Sequence, residues 1–274
     1  MNDKDFNQKE KYKSDQMRRV PPEDAEQIES LGATIAEDEK PELGTMKIDL
    51  HCHTEASHDS STPLRLIPNR CLNREVSVQA ITDHDQIWGA QKLKSMVEDD
   101  QEAEWHNLTV IVGQEISTSE GEIIGLFLQE AIPPGLSPEQ TVEHIQNQGG
   151  LVLIPHGFDP MKRWRLRPEA LERITGSVDI IETFNARVSN IQWNQAAVAW
   201  SQEREVLMSA GSDAHTLAEI GSAWVEVPLR TIQGPQDLMD ALRGGKPVGD
   251  WTHPVVAYVY KVWDRTMRKL KMRQ

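Results

Sequence analysis

Two cysteines in 274 residues, Cys52 and Cys71, are too few for the disulfide framework that staples small secreted domains, and they suit a reducing compartment. Long apolar runs are missing too, so no membrane span is expected. The first residues, MNDKDFNQKEKYKSDQMRR, lack the apolar stretch of a secretory signal. These absences together predict a cytoplasmic protein. Excess positive charge is also lacking. A formal net charge of -14 argues against nonspecific attraction of nucleic acid to the whole surface, although a local basic pocket still suits a phosphorylated substrate. The chain has no internal repeat of fixed period, and no stable protein partner is predicted.

Residues 1–45 are rich in Asp, Glu, Lys and Gln and poor in aromatic and β-branched types. So little apolar surface cannot offset the entropy of ordering, and a disordered acidic tail is predicted there. A short helix from Pro22 to Ala33, with a proline and acids in its first turn, is the alternative for part of it. From Met46 onward, short β-branched runs alternate with helical segments, the pattern of strand-helix units around a largely parallel sheet or barrel. Seven strands are predicted: KIDLHCH, VQAITDHD, LTVIVGQEI, EIIGLFL, LVLIPH, VDIIETFN and EVLMSAGSDAH. In SPEQTVEHIQNQGG, Ser137 caps a helix, Pro138 stands in its first turn and Gly149-Gly150 end it. PEALERI and residues 195–205 read similarly. The main domain spans residues 46–228, with WVEVP as a peripheral strand. Residues 229–274 are expected to form a helical extension that packs its Val, Tyr and Trp side chains on the barrel.

What stands just after these runs decides the chemistry, because α/β barrels and parallel sheets build their sites at the C-terminal ends of strands. KIDL leads to His51 and His53, VQAI to Asp83, His84 and Asp85, VIVGQ to Glu115, LVLIP to His156, VDII to Glu182, and VLMSAGS to Asp213 and His215. Residues two apart on a strand share a face, so His51 and His53 can reach one metal while Cys52 points away. A lone histidine of this kind is more often structural than a ligand; six strand ends carrying ligand types are not explained that way. Imidazoles and carboxylates without thiolates suit zinc, manganese or iron. His106, His144 and His253 stand outside the pattern.

The segments DLHCHTEAS, ITDHD with Gly89 beyond it, GQEIS, IPH and GSDAH occur in this order, and through them residues 46–228 resemble the PHP family, named for polymerase and histidinol phosphatase domains. The resemblance implies an α/β fold, a distorted (β/α)7 barrel, with a trinuclear metal centre. It implies that His51, His53, Glu115 and Asp213 hold a first metal, Glu115 with His156 a second, and His84 with His215 a third, with Asp83 behind them orienting a ligand. Two departures stand out. Where the family often reads Ser-Asp-Gly, this chain has Ser57-His58-Asp59-Ser60, so His58 or Asp59 would reach the third metal, and related members favour the offset of Asp59. Where many members have a histidine, this chain has Glu122, which leaves a site of two ions or of three.

The implied reaction is hydrolysis of a phosphate ester by attack of metal-bound hydroxide, with Glu115, His84 and His215 as catalytic groups and His84 or His215 protonating the leaving group. The substrate is a small phosphorylated metabolite, a nucleotide or an oligonucleotide end. Phosphate binding is assigned to Arg163 and Arg165, on the loop GFDPMKRWRLRP with Lys162 and Arg167, and to Arg187; Trp164 on the same loop can stack on a base or ring. An amidohydrolase-type enzyme, which also begins with a His-x-His strand, and a noncatalytic metal-stabilised module are the alternatives.

Overall fold

The computed structural model describes residues 44–100 and 105–253, with a few more positions up to 266. The tail and the Pro22–Ala33 helix expected before residue 44 lie outside the described residues. The seven apolar runs become β1 (Thr45–Asp49), β2 (Val76–Ile81), β3 (Thr109–Thr118), β4 (Gly121–Leu126), β5 (Leu151–Ile154), β6 (Ile180–Asn185) and β7 (Leu207–Gly211), followed by β8 (Ala223–Pro228) and β9 (Lys246–Gly249). Their order in the sheet is β7-β6-β5-β4-β3-β2-β1-β8-β9. The sheet curls until the chain beyond β1 meets the end of β7. Leu50 N–H donates to Ala210 O at 3.2 Å, Asp213 N–H to His51 O at 2.8 Å, and His53 N–H to Ala214 O at 2.9 Å. The result is an α/β fold with a nearly closed, distorted barrel.

One strand departs from the parallel pattern. β4 runs antiparallel to both β3 and β5. Only Ser119 and Glu120 separate it from β3, and a parallel return needs a crossover of about a dozen residues or more. The start of β4, rather than its end, therefore reaches the ligand-bearing rim, and Glu122 arrives there. β8 and β9 are also antiparallel additions, on the far side of β1.

The helices are α1 (Ile67–Asn73), α2 (Trp88–Glu98), α3 (Pro138–Asn147), α4 (Pro168–Ile174), α5 (Gln192–Arg204) and α6 (Pro235–Leu242). At α3, the Ser137 side chain accepts from Gln140 N–H while the Gln140 side chain accepts from Ser137 N–H, a reciprocal cap. α5 begins three residues before the expected Gln195 and stops at Glu205, whose φ is 56°.

Strand periodicity sorts the apolar residues into two layers. Ile111, Leu151, Leu153 and Ile180 join Ile48, Val78, Ile124 and Ala210 in an inner cluster, closed off by Leu238, Ala241 and Leu242 of α6. Val110, Val112, Val152, Ile154 and Ile181 join the outer cluster with Leu93, Ile145 and Leu171 of the helices. Burial on both faces is why these strands read as continuous apolar runs. Each such side chain contributes roughly 1.5–3 kcal/mol over exposure, and the framework they build is stiff enough to hold the polar rim.

The extension after residue 228 holds the helix α6, which packs on the barrel, and also the strand β9; its described residues Val255, Val256, Tyr258, Val259, Val262 and Trp263 are exposed. Apolar periodicity signals a helix without naming what covers it. Among the described residues, no helix is long and apolar enough to cross a membrane.

Candidate metal centre

Most of the ligand-type residues lie just beyond the strand ends, where the ladder continues as single bridges, Cys52 with Ala214 and His84 with Glu115, while Glu115 and Glu122 lie within β3 and β4. Alternation sends Cys52 into the outer apolar layer and turns His51 and His53 toward one another, their Nε2 atoms 3.1 Å apart. His156 (φ 29°) and Asp213 (φ 49°) leave their strands through the left-handed region, a turn that aims each side chain back over the barrel rim. Gly211 is needed where β7 passes His51, since a Cβ there would collide with the His51 Cβ and with Glu182.

Four sets of donor atoms converge, each within 4.8 Å: His51, His53 and Asp213; His51, Glu115 and His156; His84, Glu115 and Glu122; and His53, Asp59, His84 and His215. Glu115 is shared. Its Oε2 lies 3.3–3.4 Å from His51 Nε2, His53 Nε2 and His84 Nδ1, and its Oε1 lies 3.2 Å from His156 Nε2. Asp213 Oδ1 is 3.5 Å from His53 Nε2. At the opposite corner, His215 Nε2 is 2.7 Å from Asp59 Oδ2. Asp59, not His58, belongs to these sets; His58 lines the cavity and lies against the His84 ring, centroids 5.4 Å apart.

The chemistry behind the donors suits divalent cations. His51 Nδ1 is engaged by Glu182 Oε1 at 3.1 Å and His53 Nδ1 by Ser57 Oγ at 3.1 Å, which turns both Nε2 atoms toward the shared carboxylates. Two imidazole nitrogens facing each other at hydrogen-bond distance, ringed by carboxylates, form a set that a divalent ion satisfies.

Several groups whose orienting role the strand pattern does not reveal stand behind these donors. Glu182 also accepts from His156 N–H at 2.7 Å and from Asn185 Nδ2 at 2.9 Å, so one carboxylate fixes two candidate ligands. Its place after VDII was the available signal. Ser57 Oγ also accepts from His84 N–H at 2.9 Å, and Glu219 accepts from His215 N–H at 3.0 Å. Asp83 touches no imidazole; it accepts from Thr54 N–H and Thr54 Oγ, clamping the turn after His53. Glu182→Ala is expected to weaken metal binding about 10- to 100-fold while the fold persists, as loss of a group behind a ligand does, and isothermal titration measures it.

Electrostatics follow the same geometry. Burial opposes ionisation of Glu115 and Asp213, yet neighbouring cationic groups, foremost His51 for Glu115 and Lys162 for Asp213, hold both well below the usual carboxylate range. Burial also lowers the His53 imidazole, but hydrogen bonds to Asp213 and Glu115 outweigh it and raise the group to about 9. Glu122 is pushed up to about 10 by burial and by Glu115. His215 falls to about 3 through burial and the Arg187 charge. A ligand imidazole must lose its proton to bind metal, and His53 holds its proton up to about pH 9. Apparent metal affinity is therefore expected to rise about tenfold per pH unit for each proton displaced between pH 6 and 8, readable by competition with a chelating dye.

The site opens into a cavity of about 400 Å³ lined by His58, Asp59, His84, Glu115, Glu122, His156, Asp213 and His215 together with Ser117, Lys162, Arg163, Trp164 and Arg187. Of the residues expected to hold phosphate, Arg163 and Arg187 are there and Arg165 is not. Arg165 lies two residues past Arg163, where the backbone turns away to meet Gly121. Arg187 is partly engaged: its Nη1 donates to Asp213 O at 2.9 Å and abuts His215 Nδ1. Lys162 Nζ lies 2.5 Å from Asp213 Oδ2.

Residues 49–201 match the sequence profile of the PHP domain, and residues 192–247 that of a PHP-associated region. An uncharacterized protein of Methanocaldococcus jannaschii is 34% identical over 70% of this chain and 75% of its own length. Among solved structures, PsfC from Pseudomonas syringae superposes with a TM-score of 0.60 at 18% identity, covering 82% of this chain and all of PsfC. A two-domain Bacteroides vulgatus protein that contains a predicted PHP-like metal-dependent phosphoesterase gives 0.59 at 17% identity, over 78% of this chain and 67% of that one.

Proposed function

The chain belongs to the PHP domain family, and from that premise we propose that it hydrolyses a phosphate ester with two or three divalent cations held by His51, His53, Asp59, His84, Glu115, Glu122, His156, Asp213 and His215. The observation that carries this reading is that the converging donors and the cations Lys162, Arg163 and Arg187 line one cavity. The similarity in fold to a protein containing a predicted PHP-like metal-dependent phosphoesterase supports it.

Phosphate ester hydrolysis is extremely slow unaided, and divalent ions at such a site supply an acidified water and neutralise charge on the transferring group. The chain's own groups do the remainder. Lys162 and Arg163 offer positive charge to the phosphoryl oxygens from the cavity wall. Arg187 secures His215, and Glu182 and Ser57 keep the His51 and His53 rings turned inward. His215 has both nitrogens engaged, by Asp59 and beside Arg187. His84 keeps its Nε2 at 3.8 Å from Asp59, and its side chain is partly exposed to the cavity. Where it holds no metal, His84 would be the histidine left to protonate the leaving oxygen, with burial holding its imidazole below the usual range.

Protein loaded with manganese, zinc or iron is expected to hydrolyse a generic phosphomonoester in preference to amide and lactone substrates. Preference for the amide or lactone would move the protein to the amidohydrolase reading, and metal binding without turnover of any of them would leave a noncatalytic module.

A further inference from the structure

The cavity rim presents an aromatic surface that hydrolysis of a bare phosphate ester does not require. Trp164 lines the cavity and remains 57% exposed, and Met161 on the same loop is 76% exposed. A large ring open to water on the wall of a polar cavity offers a face on which a flat ligand can stack.

The loop that carries this ring is fastened at both ends. Buried Asp159 accepts from Met161 N–H at 2.9 Å and ties the loop to Ser189, whose N–H and Oγ donate to it at 2.6 and 2.7 Å. On the far side, Trp164 O accepts from Glu122 N–H at 2.7 Å, which fixes the Trp164 backbone beside a candidate metal ligand. The backbone that carries the ring is thus held beside the phosphate-handling groups by hydrogen bonds. The Arg163 guanidinium lies 4.9 Å from the centre of the Trp164 ring, adding a flat cation to the same surface.

One aromatic ring among the cations Lys162, Arg163 and Arg187, its backbone one hydrogen bond from Glu122, matches a ligand with a phosphate at one end and a flat π-face at the other. We propose that Trp164 stacks on a nucleobase, so that the substrate is a nucleoside phosphate, either free or as the phosphorylated end of a strand. This rests on the phosphoesterase reading. The cavity volume falls in the range that holds one small ligand, and the net charge of -14 disfavours tracking a long backbone.

The test compares AMP, a 5′-phosphorylated trinucleotide and ribose 5-phosphate, which lacks the base, on wild type, Trp164→Ala and Trp164→Phe. Turnover is measured with the manganese-loaded full chain, and equilibrium binding of AMP and ribose 5-phosphate with EDTA-stripped protein. Wild type is expected to favour AMP or the trinucleotide over ribose 5-phosphate by about tenfold or more in kcat/KM, and AMP over ribose 5-phosphate by a similar factor in binding. Trp164→Ala should abolish that ratio, chiefly through KM, and Trp164→Phe should retain most of it. Equal handling of base-bearing and base-free ligands by wild type, or a ratio untouched by Trp164→Ala, overturns the proposal. Ribose 5-phosphate hydrolysis without base preference would sink the stacking site and leave the phosphoesterase reading standing. Trp164-dependent AMP binding without hydrolysis of any ester would do the reverse.

Discussion

Replacing His51 and His53 together with alanine is expected to strip the protein of tightly bound metal and to reduce phosphoester hydrolysis by about 10⁴-fold or more. The two rings supply Nε2 donors to three of the four convergent sets, and both are fully buried, so water cannot stand in for them with fixed geometry. Removing them also takes away positive charge that favours ionised Glu115 and Asp213, leaving Lys162 and Arg187 beside Asp213. Some loss of stability is therefore expected, and the variant is to be assayed well below its melting temperature, with circular dichroism showing the barrel intact. A folded double variant that keeps its metal and its turnover would show that the ligands lie elsewhere.

Glu115→Gln should be nearly as damaging, by about 10³-fold in turnover, although it changes one atom. The Glu115 carboxylate reaches four imidazoles, two oxygens serving His51, His53 and His84 on one side and His156 on the other. An amide offers a single weaker acceptor and turns an NH₂ group toward one of the rings. Fewer metal ions per chain should be found by elemental analysis. The rise in Tm that metal produces in the wild type through preferential binding to the folded state should shrink with them. Unchanged metal content alongside lost turnover would instead assign Glu115 a role in the chemistry alone.

Much of this centre was legible in the sequence because strand period and strand-end placement are local rules. His51 and His53 share a face through a two-residue repeat, and the residues after β2, β5 and β7, with Glu115 inside β3, emerge on the same rim once these strands run the same way. Glu122 shows where the rule gives out. Its arrival depends on β4 running antiparallel, which follows from the two-residue connection after β3, a feature with no weight in a strand-helix pattern. Ser57 and Glu219 were hidden for another reason: neither stands at the end of an apolar run, and each acts through hydrogen bonds to candidate ligands. Glu182 stood at a strand end, but its partner His51 lies 131 residues away. The basic loop illustrates a third limit. Arg163, Arg165 and Arg187 are equivalent as letters, and only the backbone path separates Arg163 and Arg187, which line the cavity, from Arg165, which does not.

Titrating divalent metal into EDTA-stripped protein, while following hydrolysis of a phosphomonoester and counting bound ions by elemental analysis, tests the central claim most directly. Turnover is expected to be absent from the stripped protein, to return as the donor sets around Glu115 fill, and to saturate at two or three ions per chain. Hydrolysis that persists at full strength in the stripped protein, or ions that bind stoichiometrically without restoring any, would contradict it.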